Sequence, residues 1–359
     1  MSTRKHSFLI SGGGTGGHIF PALAIGAELK REYPDALIEF VGASDRMEMQ
    51  KVPEAGFNIH GLWISGIQRK QLWKNVSFPF KLISSLTKSY RIIRRNRPDV
   101  VIGVGGFASG PLLYVANLLG IPTVLQEQNS YPGITNKLLA SRADRICVAF
   151  EKMDRFFPKE KIVLTGNPIR QDILLNSKTI QESRTLMGLD PDRPCILIIG
   201  GSLGARTINE AIAGGLDKFR ESGIQLLWQT GKSYSAQHDV LGKQTQFITE
   251  MDLAYRCADL VISRAGASSL SEICALGKAA ILVPSPNVAE DHQTRNAEAL
   301  VQKDAALLVK DSEARQTLVD EALTLLADPG KIQSMSVNAQ SMALPGATAH
   351  IVEEIRHFL

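Results

Sequence analysis

Short apolar blocks bounded by turn residues alternate with longer stretches in which apolar residues recur every three or four positions, over almost the whole chain. The short blocks predict strands and the recurrence predicts helices. In the first half the strands fall at 7–11, 37–42, 58–64, 100–104, 123–126, 145–148 and 162–164. The pattern restarts at "CILIIGGSLGAR" (195–206), with further strands at 225–229, 245–247, 260–263, 280–283 and 306–309. Strands that alternate with helices belong to parallel sheets with crossover connections. The stretch "TGNPIRQDILLNSKTIQESRTLMGLDPDRP" mixes turn dipeptides with a short helix and reads as the connection between two halves. The expectation is therefore an α/β protein of two doubly wound domains facing a cleft, 1–165 and 166–345. Ile351, Ile355 and Phe358 share one face of a last helix, so 346–359 is expected to pack back on the N-terminal domain.

Length and composition agree with that division. A chain of 359 residues with 44% apolar and 21% charged residues has the composition of a soluble globular protein, and its length favours two domains over one large one. Residues 100–126 lack any charge, and their length would span a bilayer. Five glycines and two prolines inside that stretch instead predict strand, turn, buried helix and strand. Cys147, Cys195, Cys257 and Cys274 are far apart and embedded in apolar runs, which suits buried thiols in a reducing compartment. The opening "MSTRKHSFLIS" has too short an apolar run for a secretory signal, so the chain is expected to stay inside the cell.

Candidate chemistry begins at "SGGGTGGHIFPAL" (11–23). Gly12, Gly14 and Gly17 satisfy GxGxxG formally, but the second strand ends at Gly42 where a dinucleotide fold needs an acid, and Asp45 comes three residues late. A nicotinamide dehydrogenase is disfavoured. What survives is physical: glycines admit a close ligand, and amides at a helix start attract an anion. The alternative is tight packing of helix on strand. Three more such turns, "GVGGFASGP" (103–111), "GGSLGAR" (200–206) and "SRAGASSLSE" (263–272), each follow an apolar strand and precede a helix. Gly14, Gly105, Gly106 and Ser109 are candidates for one diphosphate in the first half. Arg206 and Arg264 flank the turns of the second half and either bond phosphate or reach solvent.

Seven ordered motifs, "GGTGGHIFPALA", "GVGGFASGP", "QEQNSYPGITNKLLA", "TGNPIR", "GGSLGARTINEAI", "RAGASSLSE" and "DHQTRNA", span residues 13–297. Together they resemble the MurG family, bacterial transferases that attach N-acetylglucosamine (GlcNAc) from UDP-GlcNAc to lipid I and make lipid II for peptidoglycan. The resemblance implies the GT-B architecture and an inverting hexosyltransferase acting on the C4 hydroxyl of MurNAc. It implies UDP-GlcNAc contacts at Thr15, Gly16 and Gly17, at Asn129, at Arg170, at Ser202, at Ile248 through its backbone, along Ala267, Ser268, Ser269, Leu270, Ser271 and Glu272, and at Gln293. Glu272 suits the ribose hydroxyls, the amides of 267–269 suit the diphosphate, and Gln293 and Asn129 suit sugar hydroxyls. Gln126 stands where many members carry His, so no acid–base duty is assigned there. Another GT-B sugar-nucleotide enzyme, such as a lipid glycosyltransferase or a UDP-GlcNAc 2-epimerase, and a non-catalytic nucleotide-sugar binder remain as alternatives.

His18 closes the first turn and is the candidate general base, the alternative being a helix-start histidine that caps or bonds an acceptor phosphate. The single DxD, Asp190 to Asp192, has a proline at its centre and predicts a turn, so neither metal nor other cofactor is expected. Residues 55–98 carry nine Lys or Arg, no acid, and interleaved Trp63, Trp73, Phe78 and Phe80. For a chain of net charge +4 this is a local concentration. It suits an anionic membrane surface, with nucleic acid as the rejected rival and a basic-faced core helix as the bland alternative. With lipid I as acceptor, the expected location is the cytoplasmic face of the cell membrane, bound peripherally through the first domain.

Overall fold

The computed structural model describes residues 5–66, 76–169, 171–201, 203–288 and 291–359. The chain divides into two units, Met1–Ile169 with Leu344–Leu359, and Arg170–Ala343. Unit 1 begins β1 (Ser7–Ser11), α1 (Gly16–Glu32), β2 (Leu37–Ala43), α2 (Glu48–Glu54), β3 (Asn58–Leu62), α3 (Phe78–Asn96). It continues β4 (Val100–Gly103), α4 (Ser109–Leu118), β5 (Thr123–Glu127), α5 (Ile134–Leu139), β6 (Arg145–Val148) and β7 (Ile162–Leu164). Its seven-stranded sheet has the order β3-β2-β1-β4-β5-β6-β7, and every pairing is parallel. The strands β1, β4 and β5 are buried along their full lengths, which is why each carries consecutive apolar residues rather than an alternating pattern.

Unit 2 begins α6 (Gln171–Leu175), α7 (Ile180–Leu186), β8 (Cys195–Ile199), α8 (Arg206–Gly214), α9 (Leu216–Glu221), β9 (Gln225–Gln229), β10 (Gly242–Thr245) and α10 (Met251–Cys257). It ends β11 (Leu260–Ser263), α11 (Ala267–Ala275), β12 (Ala280–Leu282), α12 (His292–Val301), β13 (Leu307–Leu308), α13 (Ala314–Leu326) and α14 (Pro329–Ser341). Its six-stranded sheet runs β10-β9-β8-β11-β12-β13, again parallel throughout. The last helix, α15 (Ala347–Arg356), joins unit 1, where Ile351, Val352 and Ile355 are completely buried among α1 and sheet residues. Each such side chain contributes roughly 1.5–3 kcal/mol. Arg356 reaches Glu32 on α1 at 2.6 Å, and Glu354 pairs with Arg145 at 2.9 Å.

The uncharged stretch resolves into β4, α4 and β5, and among the described residues no helix is long and apolar enough to cross a membrane. The strand expected at 245–247 is a correction: β10 occupies Gly242–Thr245 instead. Its sequence, GKQT, is polar because β10 is a half-exposed edge strand, so no apolar signal marked it, while the apolar Phe247 beyond it is exposed. All four cysteines are free and buried, and burial pushes the Cys147 thiol up to about 12.

Candidate functional site

In a doubly wound sheet, ligands bind beyond the carboxyl ends of the strands where the order reverses. In unit 1 that point lies between β1 and β4, so the turns 12–15 and 104–108 adjoin it. In unit 2 it lies between β8 and β11, which brings the turns 200–205 and 264–266 together. All four glycine turns singled out in the sequence therefore flank the two switch points. Strand order alone brings each pair together.

The first turn is held from beneath. Glu48, on the first turn of α2, is completely buried and accepts from the Gly14 amide through both oxygens (3.2 and 3.1 Å) and from the Ala43 amide at 3.0 Å. The N–H of Gly14, a candidate for the acceptor diphosphate, is bonded to this carboxylate. Ser109, another candidate for that diphosphate, is engaged within the unit as well. Its buried hydroxyl donates to Gly105 O at 2.8 Å and Ser11 O at 3.0 Å, lacing the two turns together. Gly106 has φ +82°, and a Cβ there would sit 2.3 Å from Gly13 O, so its identity is set by turn-on-turn packing. Gly17 differs, because a Cβ there would meet only Thr15 Oγ1, at 3.7 Å. Thr15 and Gly17 are exposed and Gly16 half-buried, at the open start of α1. His18 Nδ1 lies 3.2 Å from both Gly13 O and Thr15 Oγ1. The ring flanks Gly105, where a Cβ would come within 2.9 Å of Nε2.

The "QEQN" stretch closes β5. Glu127 is buried and accepts from the amides of Asn129 (3.0 Å) and Gly133 (3.1 Å) and from Asn136 Nδ2 (2.8 Å). Burial pushes its carboxyl above the usual range, against the pull of those donors. Asn129 is thus placed by a carboxylate two residues earlier in the chain, its own Nδ2 donating to Glu127 at 3.2 Å. Gln126 is completely buried and bonds Asn167 at 3.0 Å and Gln128, a structural amide network consistent with no acid–base part.

In unit 2 the turns are braced differently. Gln229 donates to Gly201 O at 3.2 Å and accepts from the Ile248 amide at 2.9 Å, so the Ile248 N–H is already engaged within the unit. Gly204 has φ +82°, and a Cβ there would lie 2.0 Å from Thr230 O. At the start of α11 no side chain caps the helix, Gly266 faces nothing within 4 Å, and the hydroxyl of Ser268 is buried without a partner. The first amides of any helix lack internal acceptors. Ala267, Ser268 and Ser269 therefore offer donors at a switch point, with Leu270 buried beneath them. Ser271 hydroxyl bonds back to Ala267 O at 3.0 Å. Glu272 accepts from the hydroxyl of the buried Tyr255 at 2.8 Å, which orients the carboxylate. Gln293, on the first turn of α12, accepts from the Ser285 amide at 2.8 Å, leaving its amide group to donate elsewhere.

Arg264 is a correction. It donates to Val283 O (3.0 Å), Pro284 O (3.1 Å) and Asp311 (2.5 Å), so it ties strand ends together instead of serving a phosphate. Arg206 is exposed and 3.6 Å from Glu210. Arg170 and Ser202 lie outside the described residues. At the DxD, Asp190 accepts from the Asp192 amide and pairs with Arg193, both at 3.0 Å, and these contacts hold its carboxyl below the usual range. That is a turn. Among the described residues no group of three or more His, Cys, Asp or Glu side chains is gathered as metal ligands would be.

Sequence reasoning missed Glu48 and gave Glu127 and Tyr255 no part. For Glu127 a signal existed, since a lone acid ending the apolar strand "TVLQE" is a buried charge in waiting. For Glu48, in the polar run "SDRMEMQ", there was none.

Comparison with known proteins decides the family. Residues 8–148 match the glycosyltransferase family 28 N-terminal domain and residues 195–351 its C-terminal domain. A Flavobacterium psychrophilum protein is 53% identical over 98% of this chain and 97% of its own length. It carries the name UDP-N-acetylglucosamine--N-acetylmuramyl-(pentapeptide) pyrophosphoryl-undecaprenol N-acetylglucosamine transferase, as does a Parabacteroides distasonis protein that is 52% identical over 98% of each chain. The chain belongs to glycosyltransferase family 28, among the MurG transferases. The crystal structure of Acinetobacter baumannii MurG superposes with a TM-score of 0.79 at 31% identity, covering 98% of this chain and 99% of that one. The two Rossmann-like sheets are thus those of a GT-B enzyme, and four of the seven MurG motifs read from the sequence are the segments that build its four turns.

Proposed function

We propose that this chain is an inverting hexosyltransferase that moves GlcNAc from UDP-GlcNAc to the C4 hydroxyl of MurNAc in lipid I, yielding lipid II for the cell wall. The observation that carries this is half-identity along essentially the whole chain to transferases named for that reaction. UDP-GlcNAc is assigned to unit 2, with the ribose on Glu272, the diphosphate on the amides of 267–269 and the Ser268 hydroxyl, and the sugar read by Gln293 and by Asn129. A buried hydroxyl without a partner supports this, since such a group is stabilised by an incoming acceptor. Departure of UDP puts negative charge on the diphosphate, and one preorganised donor at such a point is worth on the order of 3 kcal/mol. Thr15, Gly16 and Gly17 keep the donor assignment that the resemblance gives them, and the amides at Gly105 and Gly106 are assigned to the acceptor diphosphate. His18 takes the acceptor proton.

The assay is labelled UDP-GlcNAc with a short-chain lipid I analogue. Appearance of the disaccharide product is expected, and donor epimerisation or UDP release without lipid I would replace this reading with an alternative. Transfer is expected to continue in excess chelator, while complete loss restored by magnesium would demonstrate a metal requirement.

Attachment to an anionic membrane from the cytoplasmic side is the second part of the proposal. On α3, Phe80 and Ile83 are more than 60% exposed, and Trp63 and Val76 are exposed nearby in sequence. His60, Lys88, Arg91 and Arg95 line a groove with Ser84 and Thr87. Arg69, Lys70, Trp73 and Lys74 lie outside the described residues. Exposed apolar bulk among cations favours lipid over nucleic acid. Sedimentation with anionic vesicles, weakened by salt, is expected; equal binding to neutral vesicles would remove the electrostatic part.

A further inference from the structure

One peptide unit in the first turn is bonded at both ends. The N–H of the Gly13–Gly14 peptide donates to both carboxylate oxygens of Glu48, at 3.2 and 3.1 Å. The C=O of the same peptide lies 3.2 Å from His18 Nδ1. A carbonyl only accepts, so this contact is a hydrogen bond only in the Nδ1–H form, with Thr15 Oγ1 at the same distance as a second acceptor and the lone pair kept on Nε2. The slot that holds Glu48 is specific to it. A Cβ at Gly13 would lie 2.1 Å from Glu48 Oε1, and one at Gly42 would lie 2.5 Å from its Cγ. The glycine at 42 that spoiled the dinucleotide fingerprint is thus space for a buried carboxylate.

We propose that Glu48 is a positioning residue for glycosyl transfer, acting through the Gly13–Gly14 peptide to hold His18 in the Nδ1–H tautomer and to strengthen Nε2 as a base. The inference rests on the reading of His18 as general base. A carboxylate on the amide side polarises the peptide and makes its carbonyl a better acceptor, as in any chain of hydrogen bonds. When the acceptor hydroxyl attacks the anomeric carbon, its O–H bond breaks and the new C–O bond forms. UDP leaves with the electron pair of the old bond, and the proton passes to Nε2. The imidazolium so formed still donates through Nδ1 to Gly13 O. Thr15 from the same turn and Gly105 from the turn after β4 also flank the ring. Arg46 lies 5.8 Å from the centroid of the Phe107 ring, which abuts Gly14, and is 3.9 Å from Asp45.

Three measurements test this. In Glu48→Gln the side-chain carbonyl can keep the bonds of Oε1 while the charge is lost, so kcat should fall about tenfold with donor KM changed by less than about twofold. The acid limb of the pH profile should move to lower pH, because the imidazolium loses its stabilising anion. In a His18→Ala background the same substitution should have no further effect on kcat. A full additional loss there would make Glu48 an independent scaffold and overturn the relay. If His18→Ala alone leaves kcat intact, the base reading fails instead, and the two failures are told apart. Long-range 1H–15N correlation on the unmodified protein decides the matter even if the variant does not fold: the Nδ1–H form of His18 is expected, and the Nε2–H form would overturn the proposal.

Discussion

The two units use the same strand-turn-helix device at their switch points, yet they support it with opposite chemistry. Beneath the unit 1 loops lie two buried carboxylates, Glu48 and Glu127, which accept from backbone amides of Gly14, Ala43, Asn129 and Gly133. Beneath the unit 2 turns, Gln229, Asn209, Asn296 and Arg264 chiefly donate, to the carbonyls of Gly201, Thr230, Ala265, Val283 and Pro284. Donation to carbonyls leaves helix-start amides to meet an anion. Acceptance by a carboxylate consumes the amide it binds and places negative charge beside it, which disfavours an anion at Gly14 and favours a cation such as imidazolium. On the proposed assignments the first turn of unit 1 serves proton transfer and the start of α11 serves the diphosphate, although both read alike as sequence.

Substituting His18 by Ala is expected to break this division most. Turnover should fall by roughly 100-fold or more while donor KM is nearly unchanged. A change in KM alone, seen in steady-state kinetics, would place the histidine in binding. Next come matched insertions of one methyl group. Gly106→Ala and Gly204→Ala each force a Cβ against a backbone carbonyl at positive φ, 2.3 Å from Gly13 O and 2.0 Å from Thr230 O. Each should lower stability by about 2–4 kcal/mol in denaturant titration. If the units divide labour, calorimetry should find UDP binding retained in the first variant and lost in the second.

A smaller effect is expected from Glu272→Gln, which weakens a charge-assisted bond to ribose. Donor KM should rise about tenfold or more with kcat preserved, and a fall in kcat with KM fixed would count against the assignment. The smallest effect tests the carboxylate side of the comparison. Burial raises the folded-state carboxyl of Glu127 above its unfolded value of 4.5. A raised group contributes stability that is full below the unfolded value and is lost as pH rises through the folded one. Relative to Glu127→Gln, the native protein should therefore gain in thermal stability as pH is lowered toward 4.5. A difference that stays flat across that range would mean that Glu127 does not titrate on folding.

Much of the fold was legible. Blocks such as 7–11, 145–148 and 225–229 coincide with β1, β6 and β9 because a strand buried on both faces carries consecutive apolar residues at its centre, here FLI, ICV and LLW. β10 was misplaced because an edge strand has no such requirement. Within the site, Thr15, His18 and the 267–272 run are local features of one turn and one helix start, so the sequence displays them. The parts played by Glu48, Tyr255 and Arg264 depend on partners far along the chain and left no periodic trace.

By itself, the order of residues determined the alternation of strands and helices, the four glycine turns and the resemblance that names the chemistry. Those follow from local sterics and from the burial of apolar runs, which act over a few residues. Only the tertiary structure decided that β1 neighbours β4 and β8 neighbours β11, that Glu48 occupies a slot beneath Gly13 and Gly42, and that Arg264 is turned inward. Strand order and buried polar pairing are settled by which surfaces can be desolvated together, and that is a property of the packed whole.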